Sequence, residues 1–339
     1  MRYSAPLVAF CVAIALLGPV SSVAAQAASS TSGAWVVPRT PDGRPDLQGN
    51  WSSATITPLQ RPEGQDLVLT WEEVEVREGR AAGFLDAVSR PSDPDRSAPR
   101  AGGGVGGYNG IYIDRGDKVA KVYGEPRSSL ITHPADGRMP ELTPAAQARR
   151  AERRESRSQF GQYDHPELRP LGERCLVSFG SNAGPPMLPN GFYNNNYTIV
   201  QTPDHVVIMA EMVHDARIIR IGDGPRLPEH IRPWMGDSWG HWEGDVLVVE
   251  TTNIHPLHRY SGEEMKVIER FSRMAEDAVL YEFTIDDPST YTEPWGGQVP
   301  MMALNDRLYE YACHEGNYAL SNILSGARYQ ERLEAENQN

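Results

Sequence analysis

Cys313, His314 and Glu315 stand side by side in the stretch "YACHEGNY", residues 311–318. Neighbours of these types serve three ends: a metal site, a thiol nucleophile beside its imidazole base, or a structural corner whose cysteine is bonded elsewhere. His214–Asp215 sits between two apolar runs. Asp237 and His241 flank Trp239, with Trp242 and Asp245 close behind. A histidine beside a carboxylate has its tautomer fixed and its pKa raised, which suits general acid–base work. His214, Asp215, Asp237, His241, His314 and Glu315 are therefore the candidate catalytic residues. The plainer alternative is that these Asp and His side chains satisfy turn backbone and that the tryptophans are core. Glu315 would then lie near a helix N-terminus, where negative charge is favourable.

A second group interrupts otherwise apolar runs: Glu211, Glu250, Glu269, Arg270 and Glu282, the candidate ligand-binding residues, and Glu310. Charges are rarely buried without partners. Inside a barrel, with Arg217, Arg270 or Arg273 as partners, they would line a pocket for a polar or amphipathic small molecule. Facing outward, they are ordinary surface charges.

Other constellations fail on context. His255 and His258, with Glu263 and Glu264, have the donor types of a zinc site, but Pro256 lies between them in an irregular stretch, and no metal is expected. Gly102, Gly104 and Gly107 spell Gly-x-Gly-x-x-Gly after a Pro/Arg/Ser loop instead of a strand. No Gly-Lys-Ser/Thr phosphate loop occurs, and Ser181 lacks the glycine two residues before it that a nucleophile elbow requires. No cofactor is expected.

Short β segments with turn signals begin at residue 195. "NYTIVQT" and "HVVIMAEM" flank Pro203–Asp204; "ARIIRI" precedes a Pro-rich excursion to residue 234; "SWGHWEGDVLVVETTN" folds around Glu243-Gly244-Asp245; "KVIERFSRM" and "AVLYEFTID" flank Ala275-Glu276-Asp277; "NDRLYEYAC", residues 305–313, reads as the last strand. Such a series predicts an antiparallel meander closing into a barrel. A helix with one apolar face (Leu320, Ile323, Leu324, Tyr329) should follow. Upstream, Thr70 with Glu73 is a capping box for a helix over 71–80, and Thr143–Pro144 opens another. The latter carries Arg149, Arg150, Arg153, Arg154 and Arg157 with Glu152 and Glu155 interleaved. That stripe is either a solvated face laced with helical ion pairs or an anion-docking surface. Residues 90–107 read as a low-complexity loop.

Several strands are apolar on both faces and need a cover. The expected layout is residues 1–27 as signal peptide, 28–194 as an extended and helical covering segment, and 195–339 as the barrel with its C-terminal helix, the mature chain being one domain. Arg2, the apolar run from Ala5 to Val20 and Ala25-Gln26-Ala27 form a Sec-type signal containing Cys11. No other segment reaches the length of a membrane helix. The protein should be periplasmic or secreted. In an oxidising compartment the remaining cysteines, Cys175 and Cys313, form a disulfide; the alternative is a free thiol paired with histidine. A formal charge of −13 argues against nucleic acid and anionic membrane as partners; a small-molecule ligand or substrate is the expected partner.

"RTPDGRPDLQGNW" (39–51), "TPLQRP" (57–62), "DGRMPELTP" (136–144), "WMGDSWGHWEGDVLVVETTN" (234–253) and "YEYACHEGNYALSNIL" (309–324) together resemble the motif string of a large family of exported, mostly uncharacterised bacterial proteins. The resemblance spans nearly the whole mature chain and implies one shared architecture. Gly49-Asn50-Trp51 is similar to the Gly-x-Trp that opens the first strand of lipocalins. The expectation is thus a mainly β, lipocalin-like barrel binding a small amphipathic or polar molecule. The alternatives are a cofactor-independent acid–base enzyme (lyase, isomerase, hydratase or hydrolase) on the same scaffold, and a structural envelope protein.

Overall fold

The apolar alternation after residue 195 folds into hairpins, and the hairpins close on themselves. The computed structural model describes residues 35–91, 95, 114–178, 180, 182–192, 194–258, 260 and 262–338. The expected signal peptide, most of the 90–107 loop with its glycine string, and Ser181 lie outside the described residues. In chain order the elements are β1 (Gly49–Ser52), α1 (Trp71–Ser89), β2 (Lys121–Val122), β3 (Glu125–Pro126), β4 (Ile131–His133), α2 (Pro144–Ser158), β5 (Asn196–Gln201), β6 (His205–Ala210), β7 (Ala216–Ile221), β8 (Asp237–Glu243), β9 (Val246–Thr252), β10 (Lys266–Ala275), β11 (Ala278–Asp286), β12 (Trp295–Ala303) and α3 (Tyr318–Asn337). β1 and β5 to β12 form a closed nine-stranded barrel, sealed where Trp51 of β1 lies opposite Ala303 of β12. Val36–Asn339 is one compact unit.

Three features depart from the sequence reading. Residues 305–313 are not a strand. The reason is topological: β1 already occupies the edge of β12, so no edge remains for the Tyr309/Tyr311 alternation to pair with. The strand before it, β12, contains Gly296, Gly297 and Pro300, all poor strand formers. The glycines are required there because a Cβ at Gly296 would collide with the Phe283 carbonyl, and one at Gly297 with the Leu130 carbonyl. Finally, the meander is not wholly antiparallel. β7 and β8 pair in parallel, Arg220 opposite Trp239, because the long excursion between them carries the chain back to the end from which it started.

Asp237 fastens that excursion. It accepts bonds from Arg220 and, at 2.8 Å, from the Leu227 N–H. The β8–β9 turn is tight, and Gly244 supplies its positive φ of 60°. Thr70 and Glu73 form the anticipated capping box, though α1 continues past residue 80 to Ser89. No residue of α3 is buried. It is held by Arg328, 3.6 Å from Asp164, and by Asn317, whose Nδ2 donates to the Glu173 carbonyl at 3.1 Å.

Inward-facing Tyr197, Ile199, Ile208, Ile219, Leu247, Phe271 and Tyr281 join Leu130, Met187 and Leu188 of the upstream segment in one core. Each large aliphatic or aromatic side chain so buried contributes about 1.5–3 kcal/mol. Among the described residues no helix is long and apolar enough to cross a membrane.

Candidate functional site

Arg217 projects from β7 into the barrel and meets Glu269 from β10. Nη1 donates to Oε2 and Nη2 to Oε1, both at 2.9 Å, in a bidentate fork. Glu269 is 0% exposed and Arg217 3%. Tyr281 of β11 donates to Glu269 Oε1 at 2.9 Å and accepts from the Met187 N–H at 2.9 Å. Burial first, and then the charge of Glu269, push the Tyr281 phenol well up, so it stays a proton donor. The Glu269 carboxylate is thus held on both oxygens by its own neighbours, Arg217 Nε alone is left without a partner, and the upstream segment supplies the bond behind Tyr281.

The other four ligand-binding candidates do not reach this cluster. Glu211 is buried but accepts from Asn196 Nδ2 at 2.8 Å and from the Tyr309 N–H at 3.2 Å, so it holds the segment after β12. Glu250 pairs with Arg226 at 2.9 Å and Arg270 with Glu243 at 3.0 Å, all partly exposed. Glu282 takes a 3.0 Å bond from Gln298 on the neighbouring strand.

The candidate catalytic residues also separate. Asp237 is the crossover fastener. His241 is exposed and bonds Glu243 at 3.2 Å. His214 and Asp215 lie in the β6–β7 turn, and His214 Nδ1 contacts the Tyr311 carbonyl at 2.8 Å. A carbonyl only accepts, so Nδ1 carries the hydrogen. His214 thereby joins the opening motif, whose His314 and Glu315 are both exposed. Cys313 is bonded to Cys175 across a Cα–Cα distance of 5.7 Å, within the range a disulfide accepts. That bond leaves Cys313 no thiol to act as a nucleophile beside His314.

The β6–β7 turn has two unusual properties. Val213 and His214 both take positive φ, 62° and 45°. Such backbone is an outlier for a β-branched residue and costs on the order of 1–3 kcal/mol per residue. The turn is held in place by the buried Met212 and Val213 side chains, by His214 N–H to the Glu211 carbonyl at 3.1 Å, and by Ala210 N–H to the Asp215 carbonyl at 2.8 Å. Beside it, burial pushes the Asp215 carboxyl up to about 6, against the lowering influence of a Ser178 backbone bond and the His214 charge. Asp215 Oδ2 is buried with no hydrogen-bond partner. Sequence adjacency singled out His214–Asp215; nothing in residue type signalled the backbone strain.

Alongside the motif runs an open cleft of about 730 Å³, lined by Pro170, Gly172, Tyr311, Leu320 and Ile323 and by the carboxylates Glu173, Glu310 and Glu315. Glu173 is neutralised by a two-bond pairing with Arg169, at 2.9 Å each. Glu310 and Glu315 make no ion pair among the described residues. Among those residues no cluster of three or more His, Cys, Asp or Glu could hold a metal. The chain matches no family model, no curated protein and no solved structure.

Proposed function

We propose that this protein is exported and binds a small amphipathic molecule in the cleft between the "YACHEGNY" segment and α3. The observation that carries the reading is the cleft itself, a largely apolar trough bounded by Glu310 and Glu315, two carboxylates with no ion pair among the described residues. An apolar body with a few placed polar groups is the usual make-up of a small-molecule site. The charges favour a ligand with a cationic head. Export rests on the N-terminal apolar run and is supported by the disulfide, a bond typical of oxidising compartments. The motif string quoted above, which resembles that of an exported bacterial family, supports the same reading.

Dodecylamine is a suitable probe. Its binding, followed by tyrosine fluorescence, should saturate in wild type and weaken about tenfold in Ile323→Asp, on the scale of one lost apolar contact. Equal binding by both proteins refutes the site. The intact mass of protein from the producing cell should correspond to a chain starting at Ala28; a retained N-terminus refutes export.

A second reading, acid–base catalysis, is favoured by one observation: a carboxyl poised near pH 6 next to an imidazole whose Nδ1 is held on the Tyr311 carbonyl. It requires turnover whose pH profile breaks near 6 in wild type and loses that break in Asp215→Asn. A profile that is the same in both proteins excludes it.

A further inference from the structure

The five arginines of α2 were open to two readings, and their surroundings distinguish them. Several arginines of the barrel and its covering segment are ion-paired, among them Arg127, Arg169, Arg217, Arg226 and Arg270, and others, such as Arg61 and Arg232, are spent on backbone carbonyls. Those of α2 form no ion pair among the described residues, although Glu152 and Glu155 lie on the same helix. The expected helical pairing is therefore absent, and the guanidinium groups point elsewhere.

Arg149, Arg150 and Arg153 face a recess of about 190 Å³ whose other walls include Tyr260, Gly262, Thr290 and Tyr291. The recess is built. α2 is docked at its start by Thr143 N–H to the Thr290 carbonyl and Thr143 Oγ1 to the Ser289 carbonyl, both at 3.0 Å. Arg149 Nη2 is pinned to the same Ser289 carbonyl at 2.7 Å. Tyr260 and Tyr291 each meet the ring of the fully buried Trp295 edge-on, at 5.6 and 5.7 Å between centroids. Gly262 keeps one wall thin, since a Cβ there would collide with Thr290 and Asp287.

We infer that this recess is a binding site for a small free oxyanion, phosphate or a compact phosphomonoester. Guanidinium is the side chain best matched to phosphate, through planar paired donors. Burial pushes the Tyr291 phenol up to about 12, so it keeps its proton and adds a neutral donor. Two carboxylates oppose the site: Glu263 on its wall and the buried Asp287 beside Gly262. Three guanidinium groups outweigh them, and a recess of about 190 Å³ is matched to a compact anion. The site differs in place and in ligand charge from the proposed cleft, so either can fail without the other.

Thermal unfolding against inorganic phosphate, at constant ionic strength, tests the inference. A ligand bound only by the folded state raises the transition as RT ln(1 + [L]/Kd). The midpoint should rise with phosphate in wild type and not in Arg150→Ala/Arg153→Ala. Both residues are exposed and form no ion pair among the described residues, so the variant's midpoint without phosphate should match wild type. Glu263→Gln removes an opposing charge and should tighten binding about twofold to fivefold, in the range of one exposed charge interaction. No phosphate-dependent shift in wild type, an equal shift in the double variant, or binding only to phosphatidate vesicles and not to free phosphate would each overturn the site.

Discussion

Asp215 and Arg217 are two residues apart on the same chain, yet the fold treats them in opposite ways. Arg217 is driven into the barrel and given a bidentate partner, a supporting phenol and a backbone amide behind that phenol. Asp215 is driven into partial burial at the barrel end and left with one oxygen unpartnered, next to two residues with strained backbone. An interior charge neutralised by a bidentate partner rigidifies a core and has no open acceptor for a ligand, even with Arg217 Nε unbonded. An unsatisfied one raises its pKa and keeps a proton within reach of solvent. Polarity inside an apolar run is therefore no guide to function until its partners are known.

The contrast can be broken from either side. The largest effect should come from Glu269→Ala, which strands the Arg217 charge in the core; losing one member of a buried pair costs about 3–5 kcal/mol. Denaturant unfolding measures it. The double change Arg217→Met/Glu269→Leu should recover most of that loss, because the pair's desolvation is then no longer incurred. A double variant as unstable as the single one would mean that the fork itself, and not the stranded charge, sets stability.

Asp215→Asn should act with the opposite sign. The native carboxyl titrates near 6 against an ordinary value of 3.8, so between those limits the folded state binds more protons than the unfolded one. Wild-type stability attributable to this group accordingly falls as pH rises through that window. Asparagine removes the dependence. Allowing for solvent screening of a partly exposed group, it should stabilise by about 1–2 kcal/mol at pH 7–8 and by nothing below pH 4. Stabilisation that persists at pH 3.5 would show that ionisation is not the cause.

Much of the architecture was legible in residue types. Two cysteines beyond the N-terminal run left one pairing; Thr70/Glu73 and Thr143/Pro144 marked helix starts; Pro203–Asp204 and Gly244 marked turns. What escaped was decided by distant chain. β12 carries glycines where Phe283 and Leu130 approach, which local propensity reads as a loop. β1 is too short to announce itself, though Gly49-Asn50-Trp51 marked the place. Residues 305–313 had the right alternation and no vacant edge. At the site, the His214–Asp215 adjacency was visible. The Tyr311 carbonyl that selects the His214 tautomer was not, because a backbone acceptor has no residue signature.

The seam between β1 and β12 has a kinetic consequence. Hairpins β5–β6, β8–β9 and β10–β11 join neighbours in sequence and can form from local contacts within microseconds. The ring cannot shut until Trp51 meets Ala303 and Tyr197, and pairing across such a span slows folding by orders of magnitude. Until it does, β5 and β12 are bare edges, the kind that recruit strands from other chains. The four residues Gly49–Ser52 thus act late, and the molecule's exposure to misassembly lasts as long as they remain undocked.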